Sequence, residues 1–304
     1  MSEITILGTG AMAMYIGGRL AKAGIEVSLL GTWRDCIQAV NQQGICIVEG
    51  DCPSYFPAKA YTDLQQLADT HLALVLVKSW QTARAASQLR DILAGEGLAL
   101  TLQNGLGNGE ILQAALGLER TAAGVTTYGA TVLGPGKVKA GGEGVISLQD
   151  HPRLLPVSAL LKEAGFDVQY TADLTGMVWG KLVVNVAINP LTALLGVRNG
   201  KLLESPAVTE LMSMAAREAA EVADQLGVPL NFTDPAQTAK RVASATSENL
   251  SSMLQDIQRG APTEIDAVCG AVVRQGAKLA VPTPVNELLW KMIRGKVDLK
   301  GNEV

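Results

Sequence analysis

Histidine is almost missing from this chain. Its 304 residues contain two, His71 and His151, and neither has candidate ligands nearby in sequence. A histidine-based catalytic triad or zinc site is therefore not expected, and acid–base chemistry has to come from another residue type. The four cysteines, Cys36, Cys46, Cys52 and Cys269, show neither metal-ligand spacing nor a C-x-x-C pair. They read as reduced, mostly buried thiols, and no metal is expected. Cationic runs are missing as well. Lys plus Arg is 25 against 29 for Asp plus Glu, a net charge of −4, so the chain has no electrostatic footprint for nucleic acid. No uninterrupted apolar run is long enough to span a bilayer. The first residues enter a strand without a charged leader, so the expected location is the cytoplasm, with no membrane partner. Internal repeats and low-complexity tracts are also absent from the sequence.

What is present starts at Ile4-Thr-Ile-Leu-Gly8-Thr9-Gly10-Ala11-Met12-Ala13. A short apolar strand runs into a glycine turn and then into a helical pattern. Dinucleotide binding needs these parts in this order. The first glycine permits the turn, the second lets backbone approach a pyrophosphate, and a small third residue lets the helix pack closely. Here the third position is Ala13. The helix N-terminus then points at the phosphates. Gly24-Ile-Glu-Val-Ser-Leu-Leu30 follows as a second strand. No carboxylate stands at its tip to accept the ribose hydroxyls of NAD. The residues there are Gly31-Thr32-Trp33-Arg34. A guanidinium at Arg34 is a forked donor suited to a 2′-phosphate, which favours NADP. The competing reading of Arg34 is a solvated residue at a helix start.

The length is that of two domains. The first half alternates strand and helix. A helix is predicted from about Asp35 to Gln43, an edge strand over Ile45 to Val48, and a proline-containing loop with an extended piece over Asp51 to Tyr61. His71 to Val77 is a continuous apolar run, as in a strand buried on both faces of a parallel sheet. A helix from Thr82 to Leu93 and a strand from Leu98 to Leu102 follow. Ala123 to Leu148 suits antiparallel strands at the sheet edge. After about Tyr170 the periodicity is helical: 174–195, 208–226, 235–259, 264–279 and 284–293. The polar residues from Lys296 to Val304 are expected to fray. The fold class expected is α/β: a Rossmann-type doubly wound sheet over residues 1–170, then an all-helical domain over 171–304.

Ligands on such sheets bind beyond the carboxyl ends of the strands. Lys78 emerges there from the buried run, and Asn104 from the next strand, followed by Gly105-Leu-Gly107. Lys78 can meet a phosphate or a substrate carboxylate, and Asn104 the nicotinamide ribose. The plainer reading is that both end their strands in water. The second half holds the most informative pattern. Met177 to Pro190 is almost wholly apolar except for Lys181, Asn185 and Asn189, which are four apart. At about 100° per residue each step of four drifts only about 40°, so the three make one polar stripe. Buried, such a stripe is costly unless paired. One reading is a stripe that reaches solvent or bonds to a neighbouring helix. The other is a cleft wall, where a lysine donates a proton to a carbonyl oxygen and two amides grip the substrate. Pro190 is expected to end or kink this helix. Ser251, Ser252 and Asn249 form a second polar cluster, suited to receiving a carboxylate at a helix start. Glu264 follows Thr263, a candidate cap, and alone reads as an acid of a first helical turn.

Together these pieces resemble the ketopantoate reductases (2-dehydropantoate 2-reductases) over essentially the whole chain. The matching segments are Gly8 to Ala13, Val77 to Gln81, Gln103 to Gly105, Gly180 to Ala193, Asn249 to Asp256 and Pro262 to Asp266. The resemblance implies reduction of 2-dehydropantoate to pantoate with NADPH, on the route to pantothenate and coenzyme A. It implies Lys181 as proton donor and Glu264 at the catalytic centre near the cofactor. It places Asn185, Asn189, Asn199 and Ser252 on the substrate, Lys78 and Asn104 where cofactor and substrate join, and Ala130 on the cofactor. Family members often carry arginine at the second strand's tip, where this chain has Thr32, with Arg34 two residues on. A β-hydroxyacid-type dehydrogenase and a non-catalytic NADP-sensing regulator are the rival readings. The partner is a small 2-oxo acid, and monomer and homodimer both stay open.

Overall fold

The computed structural model describes residues 4–300. Twelve strands are present among them: β1 (Ile4–Leu7), β2 (Val27–Leu30), β3 (Ile45–Glu49), β4 (Cys52–Phe56), β5 (Lys59–Tyr61), β6 (Thr70–Val75), β7 (Leu93–Thr101), β8 (Thr121–Thr126), β9 (Ala130–Gly134), β10 (Lys137–Ala140), β11 (Ile146–Gln149) and β12 (Val168–Thr171). Between them run α1 (Ala11–Lys22), α2 (Arg34–Gln43), α3 (Thr82–Ile92), α4 (Asn108–Leu116) and α5 (Leu154–Glu163). Then come α6 (Leu174–Leu195), α7 (Pro206–Gln225), α8 (Pro235–Ala245), α9 (Ser252–Gln258), α10 (Cys269–Leu279) and α11 (Pro284–Lys300).

The chain forms two compact units. One runs through Gln103 and from Gly107 to Leu174; the other joins Asn104–Leu106 to the chain from Thr175 onward. In the first, eight strands lie in the order β12-β11-β8-β7-β6-β1-β2-β5. From β5 to β8 every neighbouring pair is parallel. Counting only those six strands along the chain, the order is 3-2-1-4-5-6, the doubly wound arrangement with its switch point between β1 and β6. Residues on β1, β2 and the inner part of β6 are buried on both faces, as the continuous apolar runs require.

Three features differ from the sequence reading. Ile45–Glu49 is not an edge of the main sheet; it lies within a second, four-stranded sheet ordered β4-β3-β10-β9. The segment Asp51 to Tyr61, read as a loop with one extended piece, supplies two strands, β4 and β5. Proline deflects the reading there, yet Pro53 sits on β4, the outer strand of the small sheet, the position where sheets tolerate proline. The stretch 123–148 divides: β8 and β11 pair antiparallel in the main sheet, while β9 and β10 go to the small one.

The second unit is helical and closes on a core to which every helix from α6 to α11 contributes. α7 and α8 start as Ser-Pro and Asp-Pro do: Ser205 and Asp234 cap their helices and the proline takes the first position. The helical period read over 235–259 breaks into α8 and α9. Thr246, Ser247, Asn249 and Ser251 fall in the break, where their side chains compete with the helix for backbone groups. Likewise 264–268 is a turn ahead of α10 rather than its first turn, so Glu264 is not an N-terminal helix acid. α6 neither ends nor starts anew at Pro190; it continues to Leu195 with the proline inside. The tail expected to fray is helical as far as Lys300, and residues 301–304 lie outside the described ones. Among the described residues α6 is long and apolar enough, by length and composition, to cross a membrane, yet 61% of its apolar window is buried inside the protein.

Candidate active site

At the carboxyl edge of the main sheet, β1 lies between β2 and β6, so the loops after these three strands are neighbours. The loop after β1 holds Gly8, Thr9 and Gly10. Gly8 has φ +134°, and a Cβ there would stand 2.9 Å from the carbonyl oxygen of Leu76, beyond the end of β6. Only glycine permits that close approach at that angle. Gly10 is the N-cap of α1 and supplies no side-chain cap, and space around it is open. Ala11 and Met12 are half-buried in the first turn, and Ala13 is buried against the sheet. Unfilled N–H donors at this switch point fit a pyrophosphate. Arg34, exposed, is the first residue of α2 after β2 and follows the N-cap Trp33. Lys78 is half-buried just beyond β6. Ala130 opens β9, in the small sheet rather than on this edge.

Gln103, at a strand end in the sequence reading and given no role there, is a structural anchor. Its Nε2 donates to the Val77 carbonyl at 2.8 Å and to Thr82 Oγ1 at 2.9 Å. Thr82 in turn donates to Asn108 Oδ1 at 2.7 Å. This network ties the end of β7 to the chain on either side of Lys78. At strand ends an amide reads as ordinary termination, so spacing alone gives no signal.

The second unit brings together most of the other candidates. Lys181, Asn185 and Asn189 are half-buried along one face of α6, while Leu182, Val183, Val186, Ala187 and Ile188 are buried around them. The polar stripe therefore keeps some access on a helix otherwise given to the core. Burial lowers the Lys181 pKa from 10.5 to about 8, opposed by the attraction of Glu264. Glu264 itself is 8% exposed. It opens a tight turn: its carbonyl accepts from the N–H groups of Ala267 and Val268 at 3.0 and 3.1 Å. The Ala267 carbonyl then accepts from Leu106 N–H at 3.2 Å. Gly105, φ +82°, passes so close that a Cβ would lie 2.6 Å from that carbonyl. By this route Asn104, read from sequence as a sheet-edge residue, is packed with the helical unit near Glu264. Two anchors outside the sequence reading hold the turn: Trp290 Nε1 and Arg274 Nη2 each donate to Asp266 at 2.7 Å.

Asn199 is 7% exposed at the start of a short 3₁₀ segment. Its Nδ2 donates to Thr246 Oγ1 at 2.9 Å, and its N–H donates to the Asn249 carbonyl at 3.0 Å. Thr246 spends its one hydroxyl proton on the Val242 carbonyl, so it accepts from Asn199, which fixes the amide orientation. Asn199 Oδ1 is left buried without a hydrogen-bond partner. A buried acceptor of this kind is expensive unless a ligand fills it. Ser252 is exposed at the first position of α9, whose cap is Ser251.

The chemistry that Lys181 and Glu264 support is proton donation by a lysine drawn toward neutrality by burial. Family models for ketopantoate reductase PanE/ApbA match residues 4–153, and for its C-terminal domain residues 173–297. A 2-dehydropantoate 2-reductase of Pyrococcus horikoshii is 33% identical over 304 residues, covering 98% of this chain and 99% of that protein. A PanE/ApbA family ketopantoate reductase from Ralstonia eutropha JMP134 superposes with a TM-score of 0.92 at 31% identity, over 99% of this chain and 100% of that one. D-mandelate dehydrogenase, solved with NADH and anilino(oxo)acetate, shares the fold at TM-score 0.92 and 24% identity, over 98% and 99% of the two chains. By sequence and by fold, the chain belongs to the ketopantoate reductase family of oxidoreductases.

Proposed function

We propose that this protein reduces 2-dehydropantoate to pantoate with NADPH, in the cytoplasm, on the route to pantothenate and coenzyme A. Residues 1–170 serve as the dinucleotide-binding domain and 171–304 as the substrate domain, the second taking Asn104–Leu106 from the first. The observation that carries the reading is Lys181 on the polar stripe of α6, with its amine drawn toward neutrality by burial and held cationic by Glu264.

When bound, NADPH supplies a hydride to the carbonyl carbon of the acid. The residues proposed to hold it are Gly8, Thr9, Gly10, Ala11, Met12 and Ala13 around the pyrophosphate, with Arg34 at the 2′-phosphate. Lys78, Asn104, Ala130 and Glu264 complete that set. Lys181 Nζ gives its proton to the carbonyl oxygen as the alcohol forms. With a pKa of about 8 the amine is protonated about ten to one at pH 7, yet it is a far stronger acid than an ordinary lysine. Asn185, Asn189, Asn199 and Ser252 supply amide and hydroxyl groups to the hydroxyls and carboxylate of the acid, and Lys78 and Asn104 also meet it. The buried Asn199 Oδ1 is suited to a substrate hydroxyl, which would satisfy it.

The test is consumption of NADPH and NADH with a panel of branched 2-oxo acids that includes 2-dehydropantoate. The highest kcat/KM is expected for NADPH with 2-dehydropantoate. Arg34→Ala should raise the KM for NADPH about tenfold and leave that for NADH unchanged, the size of one lost charge-assisted contact. Preference for NADH, or a higher kcat/KM for NADP reduction with 3-hydroxy acids, would sink the assignment. Tight dinucleotide binding without turnover on any acid would leave the regulator reading in its place.

A further inference from the structure

Thr192 and Ser251 stand where two carriers of proposed substrate contacts meet. Thr192 is on α6, wholly buried, and Ser251 caps α9 at 6% exposure. Their hydroxyl oxygens are 2.6 Å apart. The direction of each bond in this chain follows from its ends. Leu254 N–H donates to Ser251 Oγ at 3.1 Å, and N–H groups only donate. Thr192 Oγ1 lies 3.0 and 2.9 Å from the carbonyl oxygens of Ile188 and Asn189, and carbonyls only accept. A hydroxyl has one proton, so that of Thr192 goes to these carbonyls and that of Ser251 goes to Thr192. The result is one relay: Leu254 N–H to Ser251, Ser251 to Thr192, and Thr192 to the backbone of Ile188 and Asn189.

The place matters. Pro190 lies inside α6 and has no N–H, so the carbonyl of Val186 loses its usual helical donor there. The ladder is weakest where Asn189 projects, and Thr192 bonds back onto that residue. The same relay fixes the cap that starts α9 at Ser252. We infer that Thr192 and Ser251 are positioning residues for the oxo acid: their hydroxyl relay sets where Asn189 of α6 and Ser252 of α9 stand relative to each other. The assignment rests on the proposed reading of these two residues as substrate contacts. Capping alone does not account for it, because Ser251 accepts from Leu254 whether or not Thr192 carries a hydroxyl.

Steady-state rates of the full chain with NADPH and 2-dehydropantoate test this. Thr192→Val keeps the shape and removes the hydroxyl. It should raise the KM for the acid about tenfold while kcat and the KM for NADPH stay within about twofold. Thr192→Ser keeps the hydroxyl and should restore the wild-type KM. Ser251→Ala should act as Thr192→Val does, and the double variant should be little worse than either, since both break one relay. Should Thr192→Val not fold, Ser251→Ala carries the same expectation. A folded Thr192→Val with the wild-type KM overturns the assignment, as does failure of Thr192→Ser to rescue. So does a loss spread equally over all kinetic parameters. A wild-type protein that reduces no acid of the panel overturns the reading of the site, and this assignment with it.

Discussion

Lys181→Ala should lower kcat for reduction of 2-dehydropantoate by about 10² to 10⁴, the range for loss of a positioned general acid. The dissociation constant for NADPH should stay within about twofold. The reason is where the amine acts. A developing alkoxide needs a proton that the ground-state ketone does not, so the interaction is felt in the transition state. The glycine turn proposed to hold the dinucleotide belongs to the sheet unit and the lysine to α6 of the helical unit, so cofactor affinity is the natural internal control. Lys181→Arg sharpens the test. A guanidinium keeps the positive charge beside Glu264 but does not release its proton at working pH. It should be nearly as inactive as alanine. An arginine variant with wild-type kcat would show that charge alone suffices and that no proton passes from this position.

The second large effect is on stability, and it has the opposite sign. Lys181→Met should melt a few degrees above the wild type at pH 7. The sign follows from the shift. Burial depresses the folded-state pKa from 10.5 to about 8. Below about pH 8 the amine is charged in both folded and unfolded chains, and the folded state carries the whole cost of a buried charge. Between about 8 and 10.5 the unfolded chain binds the proton and the folded one releases it, so wild-type stability rises with pH. The advantage of methionine should therefore be greatest below pH 8 and shrink as pH rises toward 10.5. Thermal melts of both proteins across that window measure it. A methionine variant that melts lower at every pH would mean that the amine is a structural ion pair with Glu264 rather than a strained functional group. Such a trade of stability for chemistry is what an active-site lysine on an apolar helix should show.

How much of this was legible in the chain differs by kind of residue. The stripe of Lys181, Asn185 and Asn189 was readable because helical geometry turns a spacing of four into a shared face, and α6 spans the stretch that the period marks out. The glycine turn was readable because each small residue has a steric task, as the contact between Gly8 and the Leu76 carbonyl shows. The order of the six parallel strands was implied by the alternation, but the second sheet was not. β3 and β4 are joined to β9 and β10, strands some eighty residues later in the chain, and no local pattern announces such a pairing. Thr192 carries no signal in the sequence, Gln103 reads only as a strand end and Ser251 only as one of a polar cluster, for a related reason. A hydroxyl or amide gains its role from partners distant in sequence, such as Ser251 for Thr192 and Val77 for Gln103. The sequence puts Asn104 at a sheet edge because its strand ends there. Its assignment to the helical unit depends on Gly105 and Leu106 meeting Ala267, a contact that neither segment reveals alone.

The central claim is that Lys181 is the acid of the reaction. Its most direct test is the pH dependence of kcat/KM for 2-dehydropantoate reduction from about pH 6 to about pH 10, in wild type and Glu264→Gln. In the wild type the rate should be level below about pH 8 and fall about tenfold per unit above it, as the amine of pKa about 8 loses its proton. Glutamine at 264 removes the attraction that favours the charged amine, so the falling limb should move to lower pH. A wild-type profile that stays level through pH 10, or a limb that does not move when Glu264 loses its charge, would contradict the account.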